Sequence, residues 1–306
     1  MAPMRPLIST YSIVARDPVT GEIGVAVESH YLATGAVVTW AEAGVGAVAT
    51  QSSAEISYGP DGLDLMRAGR SAPEALEELL KRDPDSDRRQ VAMVDANGVA
   101  AAHTGARCIK AAGHLVSPGF SVQANLMAND TVWPAMKQAY ENSGGDLTDR
   151  LLAALDAAQA SGGDIRGQQS ATILVVGPER QQQTAHGRIF DLRVDDHPQP
   201  LRELRRLVRA QRAYNLLNTA EDALLSGDPA AARETIMRSL EMAPEMEELY
   251  AWAGITLTQI GEVDEGLRLY GIAAAKEPGW RLVIDALVEA AIIPDNPEVN
   301  ARLKSG

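Results

Sequence analysis

Thr10-Tyr11-Ser12-Ile13-Val14-Ala15-Arg16-Asp17, then Pro18-Val19-Thr20-Gly21, then Glu22 to Ser29, is the stretch that decides how this chain is read. Two β-type runs flank an Asp-Pro-x-x-Gly turn, so the segment predicts a hairpin. Its first strand opens on a hydroxyl residue with nine residues ahead of it. A strand that begins on Thr in the middle of a sheet is one place where a chain's own amino terminus can become a catalyst.

Outward from the hairpin, β-type and helical signals alternate in blocks. Gly35 to Trp40 and Gly44 to Gln51 predict strands, the second alternating Gly/Ala with Val as in a strand crowded on both faces. Asp61 to Ala68 predicts a helix stopped by Gly69, and Ser71-Ala72-Pro73-Glu74 is a capping box opening a second helix through Lys81. Arg89 to Asp95 and Val99 to Thr104 are strands joined by Ala96-Asn97-Gly98, and Gly119 to Asn125 is another. Asp130 to Glu141 and Leu147 to Ala160 predict helices, and Ser170 to Val176 and Gly187 to Val194 a final strand pair. Two sheets face to face with helix pairs outside satisfy this order, an α+β architecture.

From about Pro200 the pattern is helix only, and it repeats. Gly227-Asp228 recurs as Gly261-Glu262, Ala220 as Gly254, Ala232 as Gly266 and Pro244 as Pro278, each 34 residues on. Small residues at helix contacts with Pro closing each unit, at that period, form the tetratricopeptide signature. The expected units are Ala213 to Met246 and Glu247 to Trp280, with a capping helix from Arg281 to Ile293. The expected division is therefore an extension over 1–9, a first domain over 10–199, a connecting helix over 200–212, a repeat domain over 213–293 and a tail over 294–306. Two units are fewer than the usual three, so the module is expected to lean on its neighbour or on a second subunit, and its repeats are a place where a protein or peptide partner could dock.

Bulk properties narrow the function classes. At 306 residues the chain suits two domains, and 45% hydrophobic with 23% charged residues is ordinary for a globular protein. A net charge of −13 argues against nucleic acid and against an anionic membrane surface. The single cysteine, Cys108, excludes an intramolecular disulfide and a Cys-based zinc site, and is expected to be a buried thiol. The start lacks the apolar region of a signal peptide, and no run approaches the roughly 18 apolar residues of a membrane span. A cytoplasmic protein is expected.

No phosphate loop, nucleophile elbow or His-Glu-x-x-His motif is present. Asp195-Asp196-His197 precedes Pro198 at the domain junction and reads as turn and capping residues. His30, His103 and His114 lack ligand spacing, so neither a metal nor a cofactor is expected. What remains are polar clusters at strand ends: Thr50-Gln51-Ser52-Ser53, His103-Thr104-Gly105, Gln123-Ala124-Asn125 and Gly163 to Ser170. Each alone reads as a satisfied structural network; together they outline a cleft.

At these residues the chain resembles a bacterial family, domain of unknown function 1028. The resemblance rests on Thr10 to Asp17, Ala43 to Gln51, Tyr58-Gly59-Pro60, His103-Thr104-Gly105, Ser121 to Asn125, Gly162 to Ser170 and Arg193 to Pro198, and covers about residues 10–206. It implies the four-layer α-β-β-α sandwich of N-terminal-nucleophile (Ntn) hydrolases, with the substrate unassigned. If the chemistry follows the fold, Thr10 Oγ attacks an amide carbonyl of a small amide or peptide-like substrate. The freed Thr10 α-amine, titrating near pH 7.7–8.0, takes the proton. Asn125 then serves the oxyanion, while Gln51, Ser52, His103, Asp164, Arg166, Gln169 and Ser170 line the substrate site. The amine is free only after cleavage between Ser9 and Thr10. By fold analogy a homodimer is expected. The alternative is a non-catalytic scaffold on the same fold that docks partners through its repeats.

Overall fold

The computed structural model describes residues 7–305, so residues 1–6 of the expected extension lie outside it. The chain divides into two units, Met1–Arg205 and Arg206–Gly306.

In the first unit the opening hairpin is β2 (Thr10–Arg16) and β3 (Ile23–Ser29), preceded by β1 (Leu7–Ile8). Asp17 closes the turn: its Oδ1 accepts the N–H groups of Val19 and Thr20 at 2.8 and 2.9 Å, and Gly21 takes the left-handed φ of 76°. There follow β4 (Thr39–Glu42), β5 (Gly46–Ser53), α1 (Tyr58–Arg67), α2 (Ala72–Arg82), β6 (Arg89–Asp95) and β7 (Ala100–Thr104). Next come β8 (Gly113–Ser117), β9 (Phe120–Asn125), α3 (Val132–Asn142), α4 (Leu147–Ala160), β10 (Ser170–Val176) and β11 (Arg188–Val194).

One antiparallel sheet runs β1-β5-β6-β7, with β4 also on β5; the other runs β11-β10-β3-β2-β9-β8. β6 occupies one edge of β5 along Gly46 to Ser52. The other edge is shared: β4 pairs with Gly46 to Ala49, and β1 with Ser52 and Ser53. The Thr50 N–H, just past the end of β4, bonds to the Val38 carbonyl at 3.1 Å.

Period-two alternation sends alternate side chains of each strand to opposite faces. Val14, Val25, Val27 and Leu174 of one sheet meet Ala47, Ala49, Ala92 and Val94 of the other in a common core. On the outer face of the first sheet, Val48, Val91 and Met93 pack under Leu63, Met66, Leu76 and Leu79 of α1 and α2. α3 and α4 cover the outer face of the second sheet. The layer order is helix, sheet, sheet, helix, and alanines on the inner faces keep the sheets close.

One local expectation is corrected and one strand has no counterpart among the expected elements. Gly35 to Trp40 is not one strand: a 3₁₀ turn over Thr34–Ala36 comes first, and β4 starts only at Thr39. Thr39 Oγ1 closes that turn by donating to the Gly35 carbonyl at 2.9 Å. β8, whose His-Leu-Val run is short, carries no strand signal of its own beyond the Pro118-Gly119 turn after it.

The second unit is helical: α5 (Pro200–Leu225, entering from the first unit), α6 (Pro229–Met242), α7 (Glu247–Gln259), α8 (Val263–Lys276), α9 (Gly279–Glu289) and α10 (Pro297–Ser305). The stretch 200–212 and the helix beyond it are one continuous helix, and the expected tail holds α10. The 34-residue period has a physical cause. Gly227 and Gly261 both end helices in the left-handed region, at φ 79° and 93°. Ala220 and Ala232 are fully buried, and their counterparts Gly254 and Gly266 meet where α7 crosses α8. A Cβ at Gly254 would lie 2.6 Å from the Gly266 carbonyl oxygen, against backbone that cannot swing away. Gly254→Val is therefore expected to destabilise this unit by roughly 3 kcal/mol. Thermal melts followed by circular dichroism at 222 nm check this, and an unchanged transition would contradict the contact.

Candidate functional site

The site lies where the chain crosses from the first sheet to the second. β1 belongs to one sheet and β2 to the other, and the crossing residue, Ser9, and its successor Thr10 are both buried. Register puts Thr10 and Ser12 on the face of β2 that looks into the sandwich, with Ser29 at the end of the same face of β3, in line with Val25 and Val27.

Thr10 Oγ1 donates to Ser29 Oγ at 3.1 Å, and Ser29 Oγ donates onward in a short bond to the Ser9 carbonyl. A second donor, Arg166 Nη2, stands 3.4 Å from that oxygen. Asp164 holds the guanidinium there, accepting Arg166 Nε at 3.0 Å and Nη2 at 2.7 Å, while its Oδ2 also takes the His30 N–H at 3.3 Å. The carbonyl directly preceding Thr10 thus carries a hydroxyl and a guanidinium, with a second hydroxyl beside them. The Ser9 side chain is also held, donating to the Asn125 carbonyl at 3.0 Å.

Behind this group a chain of neutral amides joins the two sheets. Gln123 Nε2 donates to Ser12 Oγ, Ser12 Oγ to Gln51 Oε1 and Gln51 Nε2 to Gln90 Oε1, each at 2.7 Å. Gln51 Nε2 also reaches the Thr10 carbonyl at 3.3 Å, and Asn125 Nδ2 donates to Gln90 Oε1 at 3.0 Å. Gln90 Nε2 ends the chain on Thr104 Oγ1 at 2.8 Å and on the Ala124 carbonyl at 2.9 Å. Thr104 Oγ1 also lies 2.8 Å from His114 Nδ1, which extends the network to an imidazole. Burial, with His103 as a lesser cause, holds the His114 imidazole below its usual range. A buried polar network with its donors matched to acceptors fixes geometry, because any rearrangement strands an amide away from water.

Of the residues expected to form the site, Thr10, Asn125, Gln51, Ser52, Asp164 and Arg166 converge on this crossing. Two lie away from it, and Ser170, paired across the sheet with Ser29, borders it but spends its hydroxyl elsewhere. His103 pairs with Val91 and so faces the outer helices, where its Nε2 lies 2.8 Å from the Ser86 carbonyl. Gln169 turns its amide to Asp196 Oδ1 at 3.2 Å. Ser170 braces the 31–34 loop, donating to the Tyr31 carbonyl at 2.6 Å and accepting the Thr34 N–H at 3.1 Å. Asn125 stays, but its amide serves Gln90; on the Ser9 carbonyl the donors are Ser29 and Arg166. Ser29 and Gln90 carry no motif of their own; counting in twos from Val25 along β3 is the signal that reaches Ser29.

Ser52 lies in the left-handed region at φ 70°, an unusual conformation for a non-glycine residue, at the point where β1 pairs. On the opposite, helix-facing side of the second sheet, Glu28 stands across from Tyr11. Its carboxyl is fully buried and pushed up to about 8, first by burial and then by the Asp164 charge. The Tyr11 hydroxyl, the Gln169 N–H and the Arg166 guanidinium favour the anion without offsetting burial. Neither carboxyl oxygen has a partner at ordinary hydrogen-bond geometry, and Tyr11 Oη donates instead to Gln159 Oε1 at 2.9 Å. No group of three or more metal-ligating side chains occurs among the described residues, and no described helix is long and apolar enough to cross a membrane.

Comparison with known proteins gives a match over the sandwich. Residues 10–204 match the family of unknown function DUF1028. The chain is similar to the crystal structure of protein SPO2555 from Silicibacter pomeroyi, described as DUF1028, with 32% identity and a TM-score of 0.60, covering 66% of this chain and 88% of that one. Anbu, the ancestral β-subunit from Yersinia bercovieri, aligns at 11% identity and a TM-score of 0.31 over 64% of this chain and 91% of its own. No curated protein matches.

Proposed function

Because the chain belongs to the family of unknown function DUF1028, its chemistry has to come from the site, and we propose that it is an N-terminal-nucleophile amidohydrolase that frees its own nucleophile. The observation that carries this reading is the Ser9 carbonyl, held by Ser29 Oγ and Arg166 Nη2 beside the Thr10 hydroxyl. The layer order of helix, sheet, sheet, helix supports it.

The proton path is short. Thr10 Oγ attacks the Ser9 carbonyl carbon as its proton passes to Ser29 Oγ, and the Ser29 proton passes to the carbonyl oxygen. Charge separation is avoided, and Arg166 stabilises what negative charge develops. The C–N bond then breaks, the proton moves to the Thr10 nitrogen, and a Ser9–Thr10 ester remains. Water hydrolyses it, leaving a carboxylate on Ser9 and a free Thr10 amine. That amine is the general base for later substrates, whose acyl group passes through a Thr10 ester in the same way.

Purified protein is expected to begin at Thr10 by intact mass, and Ser29→Ala to retain the Ser9–Thr10 bond at least about tenfold longer. A folded parent protein with that bond whole would overturn the reading. A second reading has its own support. The second unit bears a groove of about 240 Å³ lined by Leu224, Leu225, Trp252, Ile255, Ile292 and Ile293. Tetratricopeptide-like repeats that dock a partner there account for a protein that never processes.

A further inference from the structure

The segment ahead of Thr10 is held as an extended chain. Leu7 pairs with Ser53 and Ile8 with Ser52, antiparallel, on the edge of β5. Ser9 follows, 1% exposed, with its hydroxyl on the Asn125 carbonyl and its own carbonyl facing Ser29, Arg166 and the Thr10 hydroxyl. A nucleophile, two donors on one carbonyl and a strand pairing leading up to that carbonyl are the parts of an acyl-binding site already filled.

We infer that the substrate is a peptide bound as a strand in the place of Leu7-Ile8-Ser9, with a small residue on the acyl side of the cut bond. This rests on the reading of Thr10 as a freed nucleophile. Release of the leading segment strips partners from the main chain at Ser52 and Ser53, where Ser52 is buried. Unpaired main-chain groups at a sheet edge are met best by another extended backbone, the strand-addition mode of peptide recognition. Closure around Ser9 leaves room on the acyl side for Gly, Ala or Ser and none for an aromatic ring. A single amino-acid amide would forgo the edge altogether.

The step balances as a hydrolysis. Thr10 Oγ bonds to the peptide carbonyl carbon, the Thr10 amine passes the hydroxyl proton to the leaving amine, and water then cleaves the ester. The product carboxylate is left against Arg166, so peptides ending in Leu-Ile-Ser-COO⁻ inhibit.

The test uses the full-length protein and fluorogenic coumarin amides. Acetyl-Leu-Ile-Ser amide is expected to exceed acetyl-Ser amide in kcat/KM by at least about tenfold, and acetyl-Leu-Ile-Phe amide by a similar factor. N-methylation of the Leu or the Ile nitrogen is expected to lower the rate at least about fivefold at one of the two positions. Thr10-dependent hydrolysis of acetyl-Ser amide as fast as the tripeptide overturns the strand subsite and leaves the nucleophile standing. A protein that begins at Thr10 yet cleaves none of these amides overturns the peptide assignment. A protein with Ser9–Thr10 intact overturns both.

Discussion

Thr10→Ala is expected to leave the Ser9–Thr10 bond whole and to lower amide turnover by at least about 10³-fold, while Thr10→Ser keeps both activities. Alanine lacks the hydroxyl oxygen that, in the proposed mechanism, both attacks the Ser9 carbonyl and later carries the substrate acyl group. The substitution removes the bond to Ser29 Oγ but leaves the Thr10 carbonyl on Gln51 and the strand pairing with β3 and β9 unchanged. Stability is thus expected to fall by about 1–2 kcal/mol, for one hydrogen bond and one buried methyl group, so activity lost from a protein that is still folded reads as lost chemistry. Intact mass and coumarin release, measured on the same preparations, check this. Parent-level turnover by the alanine variant would remove Thr10 from the mechanism.

Glu28→Gln is expected to stabilise the first unit in alkaline solution and to leave it nearly unchanged at pH 4–5. Burial raises the folded-state pKa of Glu28 from 4.5 to about 8. Between those values the folded protein binds a proton that the unfolded chain has lost, so stability falls as pH rises through the window. The contribution is fully present below the unfolded pKa and gone above about 8. Its full size is up to roughly 5 kcal/mol. Glutamine keeps the shape and cannot ionise, so the difference in melting temperature between variant and parent is expected to grow from pH 5 to pH 9. A constant difference across that range would mean that Glu28 ionises freely in the folded protein.

The hairpin at Asp17-Pro18 and the capping box at Ser71 are legible because one short window contains each, and the 34-residue period because the chain repeats its own small residues and prolines at a fixed spacing. The wall of the site is legible only in part, because its geometry comes from register. Thr104 and His103 are neighbours in sequence, yet a period of two sends Thr104 into the amide network and His103 to the outer helices. Ser29 ends an apolar strand, and Gln90 stands second in its own. Neither becomes polar chemistry until β3 and β6 are brought against β2 and β5. Glu28 is the reverse case: a charged residue in a buried strand, visible in sequence as an anomaly, whose pKa is raised first by its burial in the folded sheet and then by Asp164, far along the chain.

The shared edge of β5 acts as a ruler. β4 occupies it through Ala49, and the Val38 carbonyl takes the Thr50 N–H, so the edge open to a newcomer begins beyond that stop. A chain that pairs there has one frame available, because sliding forward runs it into β4 and sliding back takes it off the strand. Under the proposed peptide hydrolysis, the position of the cut is then set by distance from a fixed obstacle, and the need for a small residue on its acyl side only selects which peptides can occupy that frame.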